Sequence, residues 1–237
     1  MIQSKTIPLL LGLIAVLSGV LIWLGYRAEA QPAPTDPSQS SVPASAPQKT
    51  TDPDDWRLTL VNPWHALPEG YAPELADVEN GYQVDARCAA ALENMLAGCR
   101  AAGLSPLLCS AYRTQEKQAS LYNNLVNKLI ARGCSQEEAQ AKAGTEVALP
   151  GTSEHQLGLA VDIVDLNHQV LDHTQEDTAV QQWLMAHCWE YGFILRYPSD
   201  KSEITGIIYE PWHYRYVGKE YALALRDAGL CLEEFLY

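Results

Sequence analysis

Gly158-Leu-Ala-Val-Asp-Ile-Val-Asp165 is an apolar run with a carboxylate at its centre. Read as a strand, it puts Leu159, Val161 and Ile163 on one face and Ala160, Asp162 and Val164 on the other. Asp162 therefore sits among apolar neighbours, where an unpaired carboxylate is costly. A fold built on this strand must bring a partner to Asp162. His155 lies just upstream, and Gly158 between the two lets backbone approach closely. Further on, Glu210-Pro-Trp-His213 reads as a turn entering a strand, so that Glu210 and His213 can face one cleft. His155, Asp162 and His213 are a three-ligand set of the kind that holds a catalytic zinc and leaves a fourth position to water. Glu210 is then the separate carboxylate that takes a proton from that water. Singly, each has a plainer reading: a salt-bridged strand-end aspartate, polar loop histidines, a surface glutamate. Flanked by aromatic and β-branched strands, the four together outweigh those readings.

The surrounding pattern gives the fold class. Ala89, Leu92, Leu96 and Cys99 recur at helical spacing between a capping Asp85 and Gly103. A short apolar run, Pro106 to Tyr112, suits a buried strand. Thr114 can cap a helix to about Arg132, and Ser135 with Glu138 forms a capping-box pattern for a shorter one. Thr178 to Tyr191 carries a clear apolar stripe ending at Gly192. Phe193–Tyr197 and Ile207–Val217 read as strands, and Lys219–Ala228 as a helix. Strands and helices do not alternate regularly, which predicts an α+β domain with a small, mainly antiparallel sheet flanked by helices.

Of the 237 residues, the first 55 cannot belong to that core. Residues 7–26 are almost uninterruptedly apolar between Lys5 and Arg27, long enough to span a bilayer at the ~20 residues a helix needs. The length favours an uncleaved membrane anchor over residues 1–27. Ala28-Glu-Ala30 offers the alternative of a removable signal peptide. Residues 28–55, rich in Pro, Ser and Thr, read as a disordered tether, which leaves 56–237 as one domain outside the cytoplasm. Six cysteines suit an oxidising compartment, where disulfides persist. Cys88 and Cys99 share the first helix ~16 Å apart and cannot bridge each other. A formal charge of −13 excludes a nucleic-acid partner.

Arg113 stands where the Pro106–Tyr112 strand meets a helix, and an arginine there can steady a developing oxyanion. At these residues the chain resembles the VanY-like zinc D-alanyl-D-alanine carboxypeptidases of the Hedgehog/D,D-peptidase superfamily. Ser153, His155, Gly158, Ala160 and Asp162 match the family's Ser-x-His-x-x-Gly-x-Ala-x-Asp pattern. Glu210–His213 match its Glu-Pro-Trp-His signature, and Tyr112, Arg113 and Gln118 its tyrosine-arginine segment. The resemblance implies zinc (Zn2+) on His155, Asp162 and His213, Glu210 as general base and Arg113 as oxyanion stabiliser. It also implies that Ser153 and Gln118 contact substrate, which would be a peptidoglycan stem peptide ending in D-Ala. Two alternatives share the scaffold: an L,D-carboxypeptidase acting on tetrapeptide stems, and a non-catalytic wall-binding module.

Overall fold

Side chains that accept backbone N–H groups set most of the helix starts. In the computed structural model, which describes residues 55–237, Asp85 accepts from Arg87 and opens α1 (Ala86–Ala101). Thr114 accepts from Lys117 and opens α2 (Gln115–Ala131). Ser135 and Glu138 form the expected capping box of α3 (Gln136–Glu146). Thr178 caps α4 (Ala179–His187) through Gln181. The continuous helix expected to Tyr191 instead tightens into a 3-10 turn over Cys188–Tyr191, a common way for a last turn to satisfy its carbonyls. Two short helices, α5 (Ser202–Thr205) and α7 (Leu232–Leu236), flank α6 (Lys219–Ala228). The expected anchor (1–27) and all of the expected tether but Asp55 lie outside the described residues.

The strands are β1 (Leu75–Asp77), β2 (Gln83–Asp85), β3 (Pro106–Ser110), β4 (Ala160–Asp165), β5 (Phe193–Leu195) and β6 (His213–Tyr216). β1 and β2 pair as a small antiparallel ribbon, and the rest form an antiparallel sheet in the order β3-β4-β6-β5. This is the α+β arrangement expected. The strand expected over Ile207–Val217 contracts to His213–Tyr216, because the preceding residues form the turn that carries Glu210. There, His213 N–H donates to the Glu210 carbonyl at 3.1 Å.

Alternation along β4 divides the molecule. Val161 and Ile163 join Leu92, Leu96, Leu108, Leu184 and Phe193 in the main core against α1 and α4. Each such side chain contributes ~1.5–3 kcal/mol by burial. Asp162 turns the other way, toward a cleft whose far wall includes Leu121 and Leu125 of α2. Gly158, at φ +74°, lets the chain pass against Asp85: a Cβ there would meet the Asp85 backbone nitrogen at 2.8 Å. All six cysteines are free. Cys88, Cys99 and Cys188 are packed into the core as small apolar residues, and burial pushes the Cys88 and Cys188 thiols up to about 12.

Candidate metal centre and cleft

Register across three strands assembles the centre of the site. Asp162 of β4 pairs with His213 of β6 on one side and with Ser110 of β3 on the other. His155 reaches the same point from the 3-10 turn Glu154–Leu157 that leads into β4. One donor atom each from His155, Asp162 and His213 lies within 4.8 Å of the others, and all three residues are buried. His155 Nε2 is 3.3 Å from Asp162 Oδ2, and His213 Nδ1 is 3.1 Å from Asp162 Oδ1. The two imidazoles stand edge to face at 88°, with centroids 4.9 Å apart. Glu210 Oε2 lies 3.6 Å from His213 Nδ1.

Hydrogen bonds choose which ring nitrogen faces the centre. His155 Nδ1 lies 2.7 Å from the Ala111 carbonyl, so it carries the proton and Nε2 presents a lone pair. Burial, followed by the Arg113 charge, lowers His155 to about 4 and keeps it neutral. His213 behaves oppositely. Burial lowers its pKa, but Asp162 and Glu154 outweigh that and raise it to about 9. Burial also raises the Glu210 carboxyl, to about 8. The carboxylates around His213 thus favour positive charge at this point.

The chemistry of this donor set fits zinc. Two imidazoles and a carboxylate converge, with a second carboxylate beside them. Among the described residues, the buried atoms Glu154 Oε2 and His213 Nε2 have no hydrogen-bond partner, and they face each other at 3.7 Å. With His213 Nδ1 turned to a cation, Nε2 becomes a donor aimed at Glu154, the outer carboxylate that ligating histidines usually have.

Glu154 was not expected from the sequence. It is fully buried, and its Oε1 accepts from Arg196 Nε at 2.7 Å and from Arg215 Nη1 at 2.8 Å. Arg196 also donates to both oxygens of Glu233, at 2.8 and 2.6 Å.

Arg113 is held by a three-point fork. Its Nε donates to Ser110 Oγ (3.0 Å), Nη1 to Gln118 Oε1 (3.3 Å) and Nη2 to Asp162 Oδ2 (2.7 Å). Two of its five N–H groups remain for a ligand. Gln118 is buried outside the cleft lining. It braces Arg113 while donating to the Ala148 carbonyl at 2.7 Å. Ser153, by contrast, lines the cleft, a cavity of about 320 Å³ that also presents Arg113, His155, Asp162, Glu210 and His213. Tyr197, not singled out in the sequence, lies in the same wall with its ring 4.7 Å from that of His213. In the sequence it is only the last residue of the strand expected over Phe193–Tyr197, which ends at Leu195 instead.

A two-histidine, one-aspartate centre with a neighbouring glutamate, on an antiparallel sheet in an apolar cleft, defines a metallopeptidase-type site. Residues 81–219 match the profile of the VanY D-alanyl-D-alanine carboxypeptidase family, and the chain belongs to that family. It is 45% identical over 185 residues to a D-alanyl-D-alanine carboxypeptidase of Enterococcus faecalis, covering 78% of this chain and 67% of that relative. A zinc complex of a variant of the vancomycin-resistance D,D-pentapeptidase VanY, from a VanB-type resistance cassette, superposes with a TM-score of 0.71 at 45% identity. It covers 77% of this chain and all of that one. A structure of VanYB with D-alanine-D-alanine gives the same TM-score and identity, covering 77% of this chain and 98% of that one.

Proposed function

We propose that this chain is a zinc-dependent D-alanyl-D-alanine carboxypeptidase that removes the terminal D-alanine from peptidoglycan stem peptides outside the cytoplasm. One observation carries the reading: His155, Asp162 and His213 converge within 4.8 Å while Glu210 stands beside them without being one of the three. A zinc ion on those three ligands would supply Lewis acidity and lower the pKa of water toward ~7. Glu210 accepts the proton of the attacking water and returns it to the departing amine of D-alanine. Its position beside the three ligands, without being one of them, suits both halves of that transfer. Arg113 offers its two uncommitted N–H groups to the oxyanion that develops on the scissile carbonyl. Gln118 and Ser110 position Arg113, and Ser153 contacts the peptide. Residues 1–27 hold the domain at the membrane and 28–55 act as its tether, a reading supported by the apolar run and the Pro-rich tract.

Muropeptide digestion tests this. The purified protein with zinc should release D-alanine from pentapeptide stems, and a chelator should stop it. Glu210→Ala should retain stoichiometric zinc while turnover falls ~10²–10⁴-fold. Release from tetrapeptides alone would replace the D,D specificity with an L,D one, and release from neither would leave a wall-binding module.

A further inference from the structure

A second groove shares a wall with the catalytic cleft: Ile207 and Ile208 line both. Its volume, about 470 Å³, is in the range of small-ligand clefts. Its floor and sides include Trp64, Leu149 and Ile208, which are 63%, 43% and 40% exposed.

Trp64 is exposed yet held in place. It sits at the tip of the turn Asn62–His65, whose ends pair with each other through two backbone hydrogen bonds of 3.0 and 3.1 Å. Asn62 Oδ1 accepts from the Trp64 and His65 backbone N–H groups, both at 3.0 Å. Asn62 Nδ2 donates to Glu233 Oε1 at 3.0 Å, inside the buried Arg196–Glu154 network. The far edge of the indole lies over Gly206, where a Cβ would come within 3.1 Å of Cη2 and 2.7 Å of Pro63. Gly206 thus leaves the room that this ring position needs.

A solvent-facing indole on a hydrogen-bonded turn, with polar side chains along the same groove, has the chemistry of a sugar platform. The C–H face of a pyranose is apolar and covers the ring, while its equatorial hydroxyls and amides reach the rim. Gln140, Thr145, Ser202 and Glu203 supply that rim. Among the described residues no Lys or Arg lines the groove, which disfavours phosphate-bearing ligands. From this geometry we infer that the groove is a carbohydrate subsite. It takes an N-acetylated amino-sugar ring of the wall glycan while the attached stem peptide occupies the catalytic cleft. The inference rests on the proposed peptidase reading for the identity of the peptide, and on Trp64 and its groove for the sugar.

The test compares a free stem pentapeptide with the same peptide carrying N-acetylmuramic acid, in the full-length protein and in Trp64→Ala. The wild type should prefer the glycosylated peptide in kcat/KM, mainly through KM, by about fivefold, equivalent to ~1 kcal/mol of aromatic contact. Trp64→Ala should erase the preference and leave the free peptide within about twofold of the wild type, while Trp64→Phe should retain part of it. Equal preference in wild type and Trp64→Ala, or no preference in the wild type, would overturn the subsite. If neither peptide is cleaved, the peptidase reading fails, and the subsite stands or falls on a separate readout. That readout is saturation-transfer NMR with N-acetylated chito-oligosaccharides. A transfer signal that the wild type gives and Trp64→Ala does not supports the subsite, and a wild type without signal overturns it.

Discussion

Glu154→Gln removes one charge from a buried cluster that is balanced without solvent. Arg196 and Arg215 carry two positive charges and Glu154 and Glu233 two negative ones. The Arg196, Arg215 and Glu154 side chains are 0% exposed, and Glu233 is 9% exposed. The substitution keeps the shape and an acceptor oxygen, but leaves two guanidinium groups with one carboxylate. Removing one partner from such a cluster costs about 3–5 kcal/mol, because the remaining charge stays buried without compensation. For a domain of this size the expected fall in Tm is about 6–20 °C.

The same change withdraws the acceptor facing His213 Nε2, so zinc affinity should fall ~10–100-fold. pH supplies a further signature. Burial raises the Glu154 carboxyl, but Arg196 and Arg215 outweigh it and hold the group well below its ordinary value of 4.5. A depressed carboxyl contributes stability that is present above the unfolded pKa and lost as pH falls toward the folded one. The gap between wild type and Glu154→Gln should therefore be widest between about pH 5 and 6.5, narrowing below pH 4.5 and, because Glu154 also helps raise His213 to about 9, narrowing again as pH rises above 6.5. Calorimetric melts of the chelated proteins from pH 3.5 to 8, with a competitive zinc titration at pH 7, measure both effects. A variant melting within about 2 °C of wild type would refute the balanced-cluster account.

Three further outcomes follow from the same geometry. Arg113→Lys loses the fork to Ser110, Gln118 and Asp162, and steady-state D-alanine release should show kcat down by ~10²–10³-fold with zinc retained. His213→Ala removes a ligand, so metal analysis of the dialysed protein should find less than stoichiometric zinc, whereas Ser153→Ala should bind the full complement. In chelated protein, burial raises Glu210 to about 8, so the folded state binds its proton more tightly than the unfolded chain does. That contribution is present at low pH and declines as pH rises from about 4.5 to 8. Chelated Glu210→Gln should accordingly gain in Tm over chelated wild type at pH 8 and lose that advantage by pH 4.5.

What the sequence shows follows the range of the interactions involved. Helix starts are local: Asp85, Thr114, Ser135 and Thr178 each cap from two or three residues away, and the helices begin within a residue of where the sequence places them. The ribbon of β1 and β2 carries little local signal, since each strand has three residues and only Val84 and Asp85 are fully buried. The C-terminal α7 exists because Leu232 packs with Val217, Tyr221 and Leu225 and because Glu233 meets Arg196, and neither interaction leaves a periodic trace. The family resemblance implies a substrate contact for Gln118. Its burial, and with it a bracing position in place of a cleft-facing one, depends on Ala148, 30 residues away.

Glu154 lay beyond the reasoning that singled out Asp162. Its sequence neighbours Ser153, His155 and Gln156 are polar, so nothing local marks it as buried, although Glu154–Ala160 is buried throughout. Such a carboxylate requires cations, and the chain has two arginines inside apolar strand-forming runs: Arg196 after Phe193-Ile-Leu195, and Arg215 between Tyr214 and Tyr216. They lie 42 and 61 residues from Glu154 in sequence, so no local spacing links them. The cost of burying charge does link them, because each of the three groups would be prohibitive in the core without the others. The arginines that hold Glu154 come from β6 and the residue after β5, the strand pair that also presents His213. The charge balance of the core and the placement of a metal ligand are thus two consequences of one strand pairing.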